Sequence, residues 1–226
     1  MLTVSPNVGK CKAEIIEQLN RLSGSRSSYE VFCDWVECSA ITIQNSCRLS
    51  RDKLRTAREE QYLRTIRPYG ENAGLFEGML GLMTMGLADG PHDILGEVYV
   101  KVRLWDRKTV PLFTPFHINY MRAKMAVMDE DGNREITLNE PSCEAGGMII
   151  ATARALMDKG VNYQRCLEVV AQDLDWIAVY MCYIQLSLLG ISATVVQGDT
   201  LSNPYIPGQT APECVFYTPR NMGVIL

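Results

Sequence analysis

The chain has 226 residues, 47% hydrophobic and 21% charged, which is enough apolar material for a sizeable core and too much for an intrinsically disordered chain. A formal charge of −4 argues against a general polyanion binder, although the signs separate: through residue 67 there are 11 Lys/Arg against 8 Asp/Glu, and beyond it 11 against 18. The cysteines show no CxxC spacing and the start, Met1-Leu2-Thr3-Val4, lacks a basic segment before an apolar one, so the expectation is a soluble cytoplasmic protein with buried free thiols, no signal, no anchor and no membrane partner.

Apolar spacing predicts amphipathic helices over 10–22, through Ile15, Ile16, Leu19 and Leu22, and over 28–48, through Phe32, Trp35, Val36, Ile41 and Ile43, with Ser27 or Ser28 as the cap of the second. A third helix follows Ser50 and ends at the Arg67-Pro68-Tyr69-Gly70 breaker; a fourth covers 72–88 and stops at Asp89-Gly90-Pro91. The third carries Arg48, Arg51, Lys53, Arg55, Arg58, Arg64 and Arg67, interrupted by Asp52, Glu59 and Glu60. That is either a solvated face with i,i+4 pairs or a phosphate-binding stripe. Asp93 to Tyr99 opens another short helix, and 111–128 reads as a Pro-flanked turn followed by a Met-rich helix.

After the Asp131-Gly132-Asn133 turn the period changes. Residues 135–140 are strand-like and Gly146-Gly147 leads into a helix from Met148 to Met157. A second strand, Leu167–Ala171, ends at Gln172-Asp173; an apolar helix runs from Trp176 to Leu189 and closes at Gly190; a third strand, Ala193–Val196, ends at Gly198-Asp199. This alternation implies right-handed crossovers and a parallel sheet, giving an α/β chain with a helical region over 1–110 and a sheet domain over 111–226.

Ligands of such sheets bind beyond the carboxyl ends of the strands. The first tip offers Asn139 to Gly147, whose small residues admit a ligand to the backbone and lead into a helix with unpaired N–H groups. The second offers Asp173 for ribose hydroxyls, or as a cap for the helix at 176, with Leu174 to pack on a base. The third offers Asp199 for an exocyclic amino group, or for a turn, with Thr200 and Leu201 beside it. Acids at two successive tips and a small-residue turn at the first describe an adenosine pocket. The chain lacks GxGxxG after the first strand and lacks GxxxxGK[ST], and its two histidines, His92 and His117, read as structural, so no metal site is expected.

Phe113-Thr114-Pro115 resembles the FFTP segment of adenine-N6 DNA methyltransferases of the type I restriction-modification modification-subunit kind; Asn139 to Gly147 resembles their EPxCGSGG loop. Ala171 to Asp175 looks like their ribose-binding acid segment, and Tyr183 to Ile191 followed by Gln197 to Leu201 is similar to the helix and GDTL segment of small phage- and plasmid-type members. Asp93-Ile94-Leu95-Gly96 matches a short upstream helix, and the likeness covers roughly 29–201 in order. It implies a Rossmann-like S-adenosylmethionine-dependent methyltransferase sheet. It also implies that Phe113, Thr114 and Pro115, with Glu140, Pro141, Cys143, Gly146 and Gly147, contact the methionine end of S-adenosylmethionine, that Asp173 takes the ribose, and that Asp199 takes the adenine, with Leu174, Thr200 and Leu201 beside these acids in the cofactor site.

Two departures bear on catalysis. Glu144 stands where the family has glycine, and no NPP[FY] motif is present to hold a flipped adenine. The nearest string, Asn203-Pro204-Tyr205, follows the third strand directly and reads as a turn or as a catalytic variant; Cys214 to Tyr217 is a candidate fourth strand. A sheet truncated after a third or fourth strand leaves an edge that calls for self-association or a second subunit. The expected function is an S-adenosylmethionine-dependent DNA (adenine-N6) methyltransferase, with DNA held by Arg51, Arg55 and Arg58. The alternatives are a catalytically inactive homologue that binds cofactor or nucleic acid in a regulatory or anti-restriction role, and an unrelated nucleotide-dependent enzyme such as a dehydrogenase.

Overall fold

The computed structural model describes residues 6–47, 52–105 and 113–224, which fall into two compact units: residues 1–89 with 94–113, and residues 90–93 with 114–226.

The first unit is helical. Helix α1 (Pro6–Ser23) buries Val8, Cys11, Ile15 and Leu19, the i, i+3/i+4 stripe that its sequence spells out. Helix α2 (Ser28–Cys47) begins with a reciprocal cap in which the Ser27 hydroxyl accepts from the Glu30 N–H (3.2 Å) and the Glu30 carboxylate accepts from the Ser27 N–H (2.8 Å). Helix α3 (Lys53–Ile66) is capped by Asp52, which accepts from the Arg55 N–H at 2.9 Å. The breaker at Arg67 becomes a short 3₁₀ segment through Ala73, kinked at Gly70 with φ +51°, before α4 (Gly74–Leu87). Helix α5 (Ile94–Trp105) runs well past the short helix expected there. The core of this unit holds Phe32, Trp35, Ile41, Met79, Met83, Ile94 and Leu95, and the Trp35 indole N–H is satisfied by the Phe76 carbonyl at 3.1 Å.

In the second unit α6 (Phe116–Ala126) precedes the sheet, and the turn at 131–133 leads into β1 (Ile136–Glu140). Then come α7 (Gly147–Asp158), a one-turn helix α8 (Tyr163–Cys166) capped by Asn162, and β2 (Leu167–Asp173). Helix α9 (Trp176–Leu188) and β3 (Ser192–Gln197) complete the alternation, and Gly190 takes φ +65° where α9 gives way to β3. β1, β2 and β3 are parallel neighbours, with Leu138 opposite Val169 and Val169 opposite Ala193. β3 is buried almost throughout, whereas β1 alternates between half-buried and exposed positions, as suits a strand at the sheet's margin.

The candidate fourth strand is present as β4 (Val215–Tyr217), but it pairs antiparallel with β3, Val195 opposite Phe216. It is therefore not a fourth parallel strand placed beside β1. The reason lies in the connection: residues 198–214 contain only a 3₁₀ turn at Pro212–Cys214, and a parallel return needs a crossover, usually helical. Phe216 fixes β4 against α9, with ring centroids 5.2 Å from Tyr183 and 5.7 Å from Tyr180. Buried Thr218 closes the end of the pair, its hydroxyl accepting from the Ala193 N–H (2.9 Å) and donating to the Ile191 carbonyl (2.8 Å).

The fold is thus a helical region followed by a partial Rossmann-like α/β unit. Five of the cysteines are buried, while Cys33, Cys47 and Cys214 are partly exposed, so the thiols are not uniformly interior. No helix among the described residues is long and apolar enough to cross a membrane.

Candidate functional site

Because β1, β2 and β3 run in parallel, their carboxyl ends lie side by side, and hydrogen bonds tie the three segments leaving them together. The Cys143 N–H reaches the Gln172 carbonyl (3.0 Å), and the Glu144 N–H reaches Asp173 Oδ2 (2.9 Å). The Gly198 N–H reaches the Asp173 carbonyl (2.9 Å), and the Thr200 hydroxyl donates to the Pro141 carbonyl (2.7 Å). Glu140, Pro141, Cys143, Asp173 and Thr200 are thereby brought to one end of the sheet.

Asp173 is not the cap of α9. That role belongs to Asp175, whose Oδ1 accepts from the Ile177 N–H at 2.9 Å. The Asp173 carboxylate instead spans two segments, taking the Glu144 amide on one oxygen and the Asp175 amide (3.0 Å) on the other; each oxygen keeps capacity for a further donor. Asp199 is engaged in its own turn, accepting from the Leu201 N–H (2.9 Å) and the Ser202 hydroxyl (2.7 Å), and these two donors, the hydroxyl foremost, hold its pKa below the usual carboxylate value. Leu174 and Leu201 are 66% and 95% exposed, so two apolar side chains stand in solvent at adjacent strand tips.

The small residues of the first loop are required by packing. A β-carbon on Gly146, which has φ +88°, would stand 3.2 Å from Cys182 Sγ, and one on Gly147 would stand 3.0 Å from Asn119 Nδ2 and 3.2 Å from Asp93 Oδ2. The loop is braced from below by Gln185, fully buried on α9, whose Nε2 donates to Asp93 Oδ1 (2.9 Å) and to the Ala145 carbonyl (2.8 Å). Buried Cys143 faces Cys182, and their hydrogen bond together with burial drives the Cys143 thiol well up, leaving it an inert neutral group.

The loop is acidic. Burial raises Glu140, and Asp173 adds to that, against the Ser142 amide and Arg122. Burial likewise raises Glu144; the Thr114 amide opposes the shift, and Asp93, Asp173 and Glu140 reinforce it. Glu144 adopts φ +50°, a left-handed backbone that favours glycine over a residue with a β-carbon.

Thr114 and Pro115 head α6 beside this loop, with the Thr114 carbonyl accepting from Asn119 Nδ2 at 3.3 Å. Phe113 belongs to the helical unit, where it stacks on Tyr99 at 5.1 Å between centroids. Asn203-Pro204-Tyr205 leaves the turn at 200–202 as an irregular segment clamped by buried Gln172, whose Nε2 donates to the Asn203 carbonyl and whose Oε1 accepts from the Tyr205 N–H, each at 3.0 Å. The Tyr205 hydroxyl is bonded to Tyr217 and Thr194 and, mainly by burial, pushed up to about 12. Its polar end is therefore committed to the sheet.

Of the three arginines expected to face DNA, Arg58 is 4% exposed and cannot belong to a solvent-facing stripe; tertiary packing turns that side of α3 inward. Arg55 is half-buried, and Arg51 lies outside the described residues. Sequence reasoning assigned no role to Gln172 or Gln185, or to Asn119. The available signal was a lone amide in an otherwise apolar segment, as in Tyr183-Ile184-Gln185-Leu186.

No family model matches the sequence, and no curated protein does. Solved structures similar to this chain include two at low identity. One, from Listeria monocytogenes and assigned to the class I S-adenosylmethionine-dependent methyltransferases, is 11% identical with a TM-score of 0.49 over 87% of this chain and 56% of its own. The other, a type I restriction-modification system methyltransferase subunit from Streptococcus thermophilus, is 16% identical with a TM-score of 0.48 over 92% of this chain and 42% of its own. The chain thus spans about half the length of these structures.

Proposed function

We propose that the α/β unit binds S-adenosylmethionine across the tips of β1, β2 and β3, and that the chain works as an S-adenosylmethionine-dependent DNA (adenine-N6) methyltransferase-like protein. The observation that carries this reading is the interlocking of three strand-end segments around the Asp173 carboxylate, at the end of the sheet where open α/β folds take their ligands. In this reading Asp173 accepts from the ribose hydroxyls with its remaining lone pairs, and Asp199 accepts from the adenine amino group. Leu174 and Leu201 cover the base, which accounts for two large apolar side chains left in solvent. Thr114, Pro115, Glu140, Pro141, Cys143, Gly146 and Gly147 frame the methionine end, where the raised carboxylates of Glu140 and Glu144 gain a partner in the sulfonium and ammonium charges. The pocket so drawn takes no residue from the helical unit. The protein's share of catalysis is placement, holding the acceptor nitrogen in line with the sulfonium methyl.

A second reading, a homologue that binds cofactor or nucleic acid without transferring a methyl group, is favoured by one observation. The Asn203–Tyr205 segment has its backbone clamped by Gln172 and its tyrosine hydroxyl bonded within the sheet, which holds the Tyr205 ring to the sheet and restricts it from stacking on a flipped base. DNA, and a second copy or another subunit, are the partners that both readings call for. Calorimetry should show binding of S-adenosylmethionine and none of a nicotinamide cofactor, and Asp173→Ala should weaken that binding by about 1–3 kcal/mol. Transfer of a tritiated methyl group to unmethylated DNA supports the enzyme. Cofactor binding without transfer supports the second reading, and absence of cofactor binding removes the first and leaves of the second only a nucleic-acid binder.

A further inference from the structure

A second cleft opens at the amino ends of β2 and β3, the opposite end of the sheet from the strand tips. It encloses about 290 Å³, at the small end of ligand-sized cavities. Three segments wall it: Asn162, Gln164 and Arg165 ahead of β2, Ser187 at the end of α9, and Pro219 and Arg220 after the antiparallel β4. Its charged lining residues are both cationic, in a chain whose net charge is −4. Arg165 and Arg220 are exposed, and neither guanidinium has a carboxylate or other hydrogen-bond partner among the described residues. Two such groups on one cleft repel each other, and an anion held there removes that cost. The end of α9 does not account for them. Its Leu186 and Ser187 carbonyls accept from the Ile191 and Gly190 N–H groups, and its Leu189 carbonyl accepts from the Tyr163 hydroxyl and Gln164 Nε2, so no cation is needed as a cap. Ser187 is an independent sign of a missing partner. It is 2% exposed, and its hydroxyl is buried without any hydrogen bond, not even to the carbonyl four residues earlier that a helical serine can take.

We propose that this cleft is a site for a terminal phosphate group, gripped by the Arg165 and Arg220 guanidinium groups with the Ser187 hydroxyl as a third donor. Donors arriving from three separate segments suit the three free oxygens of a tetrahedral phosphate better than the two of a planar carboxylate or of an internal phosphodiester. Being at the opposite end of the sheet, the site stands or falls independently of what binds at the strand tips.

The test is calorimetry on the full chain with inorganic phosphate, with a 5′-phosphorylated thymidine dinucleotide, and with its 5′-hydroxyl counterpart, whose one phosphate is internal. Inorganic phosphate should bind and the 5′-hydroxyl dinucleotide should not. A phosphorylated dinucleotide that binds more tightly than phosphate assigns the site to the phosphorylated end of a larger molecule; one that does not assigns it to the free ion. Arg165→Gln and Arg220→Gln should each weaken phosphate binding about tenfold, the equivalent of one charge-assisted hydrogen bond, and should melt close to the parent because both side chains are exposed. Ser187→Ala should weaken it about threefold while raising the melting temperature of the ligand-free chain, since it removes a buried group that has no partner. Absence of phosphate binding overturns the proposal, as does a 5′-hydroxyl dinucleotide that binds as tightly as the phosphorylated one. So does a phosphate affinity left unchanged by either arginine variant or by Ser187→Ala.

Discussion

Gln185 links the buried interior of the α/β unit to the loop that forms the candidate site, and Gln185→Leu isolates that link. The substitution nearly conserves volume, so cavity terms stay small and the loss is of hydrogen bonds. Those to Asp93 Oδ1 at 2.9 Å and to the Ala145 carbonyl at 2.8 Å are broken, at a residue with no exposure to water. A buried carbonyl left without a donor costs about 1–3 kcal/mol, and a hydrogen bond to a charged group contributes about 1.5–3 kcal/mol. The burial of Asp93 and the depth of the site place the sum near 3–4 kcal/mol by those same figures. That is a large share of the roughly 5–15 kcal/mol that holds a typical domain together. Urea denaturation followed by circular dichroism should show the midpoint fall while the dependence on denaturant stays constant. Gln185→Glu should be worse at neutral pH, because it sets a second carboxylate against Asp93. A loss below about 1 kcal/mol for Gln185→Leu would mean that water or a neighbouring donor replaces the amide, and the brace would have to be abandoned.

Thr218→Val should cost about 1–3 kcal/mol in the same assay, by stranding the Ala193 N–H at a fully buried position, and a neutral result would show that β4 does not depend on that closure. The raised native pKa values of Glu144 and Glu140 mean that the folded chain binds protons more readily than the unfolded one. Stability should therefore fall as pH climbs from the ordinary carboxylate value, about 4.3, through the raised native values. Glu144→Gln should shallow that slope in thermal melts from acid to neutral pH, and an unchanged slope would remove Glu144 as a contributor. Charge reversal at Arg51 and Arg55 should reduce retention of DNA and its salt dependence, whereas Arg58→Glu should lower the urea midpoint by burying a carboxylate; the reverse pattern would contradict the inward placement of Arg58.

What could be read in advance was whatever depends on period and punctuation. The alternation of β1, α7, β2, α9 and β3, the stops at Gly70 and Gly190, and the polar strand ends at Asp173 and Asp199 all follow from local chemistry. Which way an element faces is decided at longer range. Arg51, Arg55 and Arg58 fall on one side of a helix by spacing, yet α3 has little amphipathic contrast, so nothing local says that the side bearing Arg58 is turned inward. β4 was visible as Val215-Phe216-Tyr217, and its antiparallel direction follows from a connection too poor in helix for a crossover. Gln185 and Gln172 escaped notice because a single amide in an apolar run acquires meaning only when its partners, distant in sequence, are known.

The two margins of the sheet differ in finish. On the β3 side, Thr218 and the aromatic wedge of Phe216 lock a terminal strand in place. On the β1 side, Thr137 and Asn139 face solvent, and no further strand pairs with β1 among the described residues. Concentrated preparations should therefore cohere along β1 first, in register-tolerant stacks more readily than in discrete dimers. A lysine at Thr137, opposite Glu168 in the β1–β2 register, would be the least intrusive way to keep the material monodisperse.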